Sequence, residues 1–122
     1  MSISPQALAG TRIVEFGSYA AGPHIGKMLA NFGATVVHVE SRARPDGFRL
    51  QYPPYKNGKP HLEGSGCFAY FNDSKLDVTL DLKNPRGVEL ARKLVYACDV
   101  VIENMRPGSW RASGWGMTRS GD

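Results

Sequence analysis

The sequence predicts an α/β fold in which βαβ units stack in three layers around a mostly parallel sheet. Two stretches predict it. Residues 12–40 read RIVEF, GSYAAGP, HIGKMLANFGA and TVVHVE, which is strand, tight loop, helix, stop and strand. Residues 77–104 repeat that logic as DVTLDL, NPRGVELARKLVYAC and DVVIEN. Strands that alternate with helices in this way pair in parallel through right-handed crossovers.

Each element has a local cause. Ile13, Val14 and Phe16 form a short β-rich run between Gly10 and Gly17. Residues 17–23 open a turn, and Pro23, with a fixed φ and no N–H to lose, suits the first turn of a helix. Ile25, Met28, Leu29 and Phe32 recur at helical spacing and are expected to form the core stripe of that helix. Gly33 fits the left-handed stop that follows. Val36, Val37 and Val39 make the nearly continuous apolar run of a strand covered on both faces. Residues 41–66 then form a long loop rich in Gly, Pro and cations, among them Arg42, Arg44, Arg49, Lys56 and Lys59. Cys67–Phe71 reads as a short helix or a buried turn, and Asn72-Asp73-Ser74 as a break. Asp77–Leu82 alternates polar and apolar, a strand with Val78, Leu80 and Leu82 facing in. Asn84-Pro85 starts a helix, Asn as cap and Pro at the first helical position. Its buried stripe is Leu90, Ala91, Leu94, Val95 and Cys98, while Glu89, Arg92 and Lys93 face water. Asp99–Glu103 is expected as a buried strand ending at Asn104. The turn-rich tail carries Trp110 and Trp115, which need cover. With few strands and open sheet edges, the chain reads as an incomplete domain.

Composition bounds the function. A chain of 122 residues permits one domain with a modest core. Its 42% hydrophobic and 21% charged residues are ordinary for a soluble globular protein. A net charge of +4 suits a phosphate-bearing partner without requiring one, and no nucleic-acid recognition motif is present. Cys67 and Cys98 have no metal-like spacing, so no metal is expected and a reduced, cytoplasmic setting is. The start, MSISPQALAG, lacks the features of a signal peptide, and no apolar run approaches a membrane span.

The pattern also places a site. In open parallel sheets, ligands bind beyond the carboxyl ends of the strands. Residues 17–23 lie between such an end and a helix N-terminus, where free N–H groups and the helix dipole favour an anion. Gly17 and Gly22 are expected to let a ligand approach the backbone closely. Residues 103–108 are expected on the same rim, with the long loop overhanging it. Tyr52 and Tyr55 offer flat surfaces for a base, although a plain solvated loop explains them equally. Glu40 reads as a loop-anchoring carboxylate or a ribose-binding acid. His24 is an exposed helix-end residue or an acyl contact, and His38 is structural. Lys75 and Arg106 are phosphate contacts or ordinary surface cations. Asn104 is a ligand contact or a turn cap.

Four segments together resemble the amino-terminal part of a class III CoA-transferase, the family of formyl-CoA and carnitine CoA-transferases. They are Leu8-Ala9-Gly10 leading into RIVEFGSYAAGP, then LANFGATVVHVE, then NDSK with VTLDLKNPRG, and finally DVVIENMRPGSW. They run in register from about residue 8 to about residue 116. The resemblance implies a Rossmann-like sheet, an interlocked homodimer, and coenzyme A lying across the strand-end loops. It implies Tyr19 and Ala20 beside the thioester, a cofactor contact for Gly22 and Pro23, which otherwise read only as a helix entry, and Ser41 and Arg42 beside the nucleotide. It further implies Leu80 near the adenine, Asn104 and Met105 along the cofactor groove, and Arg106 and Arg111 near phosphates. The implied reaction moves CoA from an acyl-CoA to a small carboxylic acid through an aspartyl intermediate. Ala20 stands where some transferases carry glutamine, and Lys75-Leu76 where a basic pair is common. The family's aspartate lies farther along the chain than Asp122, and Asp73, Asp77, Asp81 and Asp99 do not match it. This chain is therefore expected to bind without transferring. An acyl-CoA racemase is the neighbouring reading within the fold, and a non-catalytic CoA-binding or dimerisation piece is the non-enzymatic one. A nicotinamide enzyme is disfavoured because residues 17–23 lack the dinucleotide fingerprint.

Overall fold

Four parallel strands lie side by side in the order β3-β2-β1-β4 in the computed structural model, which describes residues 5–109. Trp110, Arg111 and Trp115 lie outside the described residues. The strands are β1 (Arg12–Phe16), β2 (Thr35–Glu40), β3 (Leu76–Thr79) and β4 (Val100–Glu103). Three helices join them: α1 (Ala21–Asn31), α2 (Gly66–Phe71) and α3 (Pro85–Ala97). From β1 the chain steps outward to β2 and β3, then α3 carries it back to the far side of β1 for β4. The direction of winding therefore reverses between β1 and β4, which is where open α/β sheets form a crevice.

The sheet is covered on both faces, as the sequence predicts. On one face α1 brings Ala30 against Ile13, Val36 and Ile102, with Leu8 and Leu29 packed around them. On the other, α3 brings Ala91 against Val14, Phe16 and Val39, flanked by Val78, Leu80, Leu82, Leu94 and Val95. The predicted helix signals act as read. Gly33 takes φ +103°, and the Ala34 N–H closes the helix on the Leu29 carbonyl at 3.1 Å. Asn84 caps α3 by accepting from the Arg86 N–H at 2.9 Å, with Pro85 first in the helix. Residues 66–71 resolve as a helix, capped by Ser65, whose Oγ accepts from the Phe68 N–H at 3.1 Å.

Several expectations fail. The stripe Ile25, Met28, Leu29, Phe32 is not the core face of α1: Ile25 is 51% and Phe32 55% exposed, Met28 is exposed too, and only Leu29 packs inward. The buried face is Gly22, Pro23, Gly26 and Ala30. The reason is polar bulk beneath the helix, where the Glu15 carboxylate and the Asn104 amide leave room only for small residues. Secondly, β4 is not buried throughout; Val100 and Val101 are exposed and only Ile102 is covered, because among the described residues β4 pairs with β1 alone. Leu90, assigned to the α3 stripe, is likewise exposed. Thirdly, β3 ends at Thr79 instead of Leu82. The Leu80 N–H still reaches the Glu40 carbonyl at 2.9 Å before the chain turns, and Leu80 and Leu82 face the core as expected. Residues 41–66 are also more ordered than a bare loop, holding two 3₁₀ turns (Gly47–Arg49 and Lys56–Gly58) and a bridge between Tyr55 and Ser65.

The small face of α1 yields a direct test. A methyl group at residue 26 would overlap the Glu15 carboxylate, which is held from both sides and has nowhere to move. Gly26→Ala is expected to destabilise the chain by about 3 kcal/mol in urea unfolding, despite its higher helix propensity. A neutral or stabilising result would refute this packing.

Candidate functional site at the ends of β1 and β4

Two segments that are distant in sequence meet in the crevice. The Ser18 N–H donates to Asn104 Oδ1 at 3.1 Å, and Asn104 Nδ2 donates back to the Ser18 carbonyl at 2.9 Å. One side chain thus clasps the loop after β1 to the end of β4. A Cβ on Gly17 would come to 2.9 Å from Asn104 Oδ1, and one on Gly22 to 3.1 Å. Those glycines make room for Asn104, a packing reason for them beside the close ligand approach expected from the sequence.

The turn itself is fixed by its own backbone. Tyr19 adopts φ +63°, a left-handed conformation uncommon for a residue with a side chain. Its N–H donates to Asp46 Oδ1 at 3.0 Å and its hydroxyl to Gln51 Oε1 at 2.8 Å. The Tyr19 ring stands edge-on to Phe48 at 5.5 Å and to Tyr52 at 6.4 Å. The long loop therefore folds over the rim as expected, with Tyr52 exposed and edge-on to Tyr19 and Phe48. No side chain caps α1 at Ala20 and no acidic residue lies in its first turn, so the helix opens at the crevice without a side-chain cap.

The other sequence-predicted residues fall in three groups. Pro23 is buried, and its carbonyl accepts from Lys75 Nζ at 2.8 Å. Ser41 and exposed Arg42 follow the end of β2, where Ser41 Oγ accepts from the Ala43 N–H at 3.2 Å. Leu80 and Met105 pack against the α3-side core, while Arg106 is exposed beside Asn104. Arg111 lies outside the described residues.

Beneath the turn is a polar cluster that the sequence reading did not assemble. The register sets Glu15, His38 and Asp77 in one row across β1, β2 and β3. Glu15 is fully buried; its Oε1 lies 2.7 Å from His38 Nδ1 and its Oε2 2.8 Å from Lys75 Nζ. Lys75 also donates to Asn72 Oδ1 at 2.9 Å. Lys75 is thus neither a surface cation nor free for phosphate, because its ammonium is spent within the fold. Burial pushes the Glu15 carboxyl up, but the hydrogen bonds to His38 and Lys75 outweigh it and hold the group below its ordinary value. The signal available in sequence was a charged residue at an inward position of an apolar strand.

Glu40 is the loop anchor that one of its two readings proposed. It accepts from the Asp46 N–H at 2.9 Å and from Arg49 Nη2 at 2.6 Å. Arg49 also reaches Asp77 at 3.0 Å and lies over the Phe68 ring, so this cation leaves the set available to a ligand. His38, Glu40 and Asp77 stand close enough to share one cation, and the guanidinium of Arg49 already bridges the two carboxylates.

Burial and their contact with each other split the two acids. Burial raises the Glu40 carboxyl, yet the Arg49 hydrogen bonds win and bring it down to about 2. Burial and the Glu40 neighbour push Asp77 up to about 6. The lowered Glu40 makes stability rise as pH climbs from about 2 to 4.5. The raised Asp77 makes stability fall between pH 3.8 and about 6, because the folded chain holds a proton the unfolded chain has released. Asp77→Asn is expected to abolish that fall, an effect below about 1 kcal/mol at this part-exposed side chain. Thermal unfolding of both forms across that pH window checks it, and parallel curves would refute it.

Comparison with known proteins follows the same geometry. The sequence profile of CoA-transferase family III matches residues 8–120. A formyl-CoA:oxalate CoA-transferase of Afipia carboxidovorans is 39% identical over 103 residues, 84% of this chain and 23% of that protein. A succinyl-CoA–D-citramalate CoA-transferase of Chloroflexus aurantiacus is 34% identical over 114 residues, 93% of this chain and 26% of the other. Among solved structures, a CAIB/BAIF family protein from Brucella suis superposes with a TM-score of 0.80 at 34% identity, over 93% of this chain and 29% of that one. The chain thus spans about a quarter of the length of these curated relatives. With its four parallel strands and its match along nearly the whole sequence, this chain belongs to CoA-transferase family III.

Proposed function

We propose that the crevice between β1 and β4 receives the thioester end of an acyl-CoA, and that the protein takes part in moving CoA to a small carboxylic acid. The observation that carries this reading is the Asn104–Ser18 clasp. It sits where the sheet reverses direction, beside the uncapped positive end of α1. The Tyr19-Ala20 turn faces the reacting group, and exposed Arg42 and Arg106, with Arg111, supply charge for the phosphates. Ser41, Leu80 and Met105 shape the flanks of the groove. The relatives are named as CoA-transferases acting between acids, which supports the substrate class. A homodimer in the cytoplasm is the setting we assign to it.

The chemistry would run through an aspartyl intermediate. A carboxylate attacks the thioester and releases CoA thiolate; that thiolate opens the resulting anhydride at the aspartyl carbonyl and frees the donor acid; the acceptor carboxylate then displaces the thiolate to give a second anhydride, which the thiolate opens at the acceptor carbonyl to yield the new acyl-CoA and free aspartate. Each described aspartate is engaged in a contact within the fold. Asp73 pairs with Lys27 at 2.9 Å, and Asp77 with Arg49. Asp81 closes its own turn on the Lys83 N–H. Asp99 accepts from the Arg12 N–H at the amino ends of β1 and β4, and Asp46 is buried. These residues bind and orient, and we assign the nucleophile to none of them.

Isothermal titration with CoA is expected to give saturable heat, and Asn104→Ala to weaken binding about tenfold through loss of the clasp. No saturation at about millimolar CoA would overturn the reading for this chain. A mixture of acyl-CoA and free acid should show no exchange with this chain alone, followed by chromatography of the thioesters. Turnover abolished by Asp46→Asn or Asp73→Asn would show that one of these carboxylates is the nucleophile after all.

A further inference from the structure

The row of buried groups under Tyr19 contains a mismatch. His38 Nε2 and Asp46 Oδ2 are buried without a hydrogen-bond partner, and they face each other at 3.8 Å. On the other side of the ring, Nδ1 lies 2.7 Å from Glu15 Oε1. Glu15 is already bonded to the Lys75 ammonium and acts only as an acceptor, so Nδ1 carries a hydrogen. If Nε2 carried none, two lone pairs would oppose each other where no water reaches. Both side chains are at most 1% exposed, which makes that arrangement costly. The charge balance points the same way. Glu15, Glu40, Asp46 and Asp77 face only two permanent cations, Lys75 and Arg49, while α2 adds just the apolar Phe68 ring at 6.0 Å from His38. A hydrogen on Nε2 turns an acceptor into a donor and supplies the missing positive charge.

We propose that His38 is a buried imidazolium clamped between Glu15 and Asp46, and that it positions Tyr19 by keeping Asp46 ionised and in place. Asp46 is the link. Its Oδ1 accepts both the Tyr19 N–H at 3.0 Å and the Phe48 N–H at 2.9 Å, so it joins the turn after β1 to the loop that covers the rim. Its Oδ2 has only His38 to answer it. Tyr19, held at φ +63°, depends on that anchor for its conformation. His38 touches no reacting atom and acts only through Asp46. The consequence for CoA binding rests on the reading given above, whereas the state of the ring does not.

Nitrogen-15 NMR of the imidazole at neutral pH tests the clamp without any ligand. Both ring nitrogens are expected to show attached hydrogens. A bare, pyridine-type Nε2 would overturn the proposal, including the case where Asp46 holds the hydrogen instead. Amide exchange then tests the positioning. His38→Gln is expected to cut protection of the Tyr19 and Phe48 amides at least about tenfold, beyond any change in the β1 and β2 amides. His38→Lys, which keeps a cation at the same place, is expected to restore it. Equal protection in His38→Gln and the parent, or failure of Lys where Gln also fails, would reject the positioning role. Where CoA binds the parent chain, affinity is expected to follow the same order. Where it does not, the site reading fails while the ring and amide signals still decide this one.

Discussion

The buried contact between Glu15 and Lys75 is the constraint on which the other features depend. An ion pair away from water is tolerable only when the remaining protons and lone pairs of the two ions find partners. Here they do: the three hydrogens of the Lys75 ammonium go to Glu15, the Pro23 carbonyl and Asn72, and the second Glu15 oxygen meets His38. One ammonium thereby joins the middle of β1, the first turn of α1 and the break after α2. The cation comes from a residue sixty positions away from the acid, so the pair forms only once the sheet has assembled.

Placing charge under a helix dictates what the helix presents to it. Gly22, Gly26 and Ala30 recur one turn apart along the face of α1 that meets the sheet. Each is small because Asn104, the Glu15 carboxylate and the apolar end of β1 lie directly below. The larger apolar residues of α1 are turned outward as a result, leaving Ile25, Met28 and Phe32 exposed together. The opposite face of the sheet carries no such charge, and there α3 packs Ala91, Leu94 and Val95 in the ordinary apolar manner.

The same cluster supports the rim. Glu40 fixes Asp46 and Arg49, Asp46 fixes Tyr19, and Tyr19 meets Phe48 and Tyr52 under the covering loop. The strained turn is thus held by backbone hydrogen bonds to a buried carboxylate and by aromatic edges, while Asn104 closes it from the β4 side. The proposed binding rim is thus braced from both sides, and Arg42 and Arg106 remain exposed.

Local chemistry determined much of this protein. The alternation of strand and helix, the Asn84-Pro85 start, the Gly33 stop and the parallel sense of the sheet all follow from short-range preferences, and each is found. The meeting of residues 17–23 with residues 103–108 on one rim was legible as well, because parallel strands must present their carboxyl ends on the same side. The roles of Glu40 as an anchor and of Asn104 at the rim were within reach for the same reason. What only the tertiary structure decided is which polar residues are spent inside. Lys75 and Arg49 look like any surface cation in sequence, and nothing near them names Glu15, Glu40 or Asp77 as their partners. Those choices follow from strand register and from the depth at which each carboxylate is buried, neither of which a local pattern contains. The inverted face of α1 has the same cause: periodicity identifies an apolar stripe, but the charge beneath the helix selects the small residues beside it.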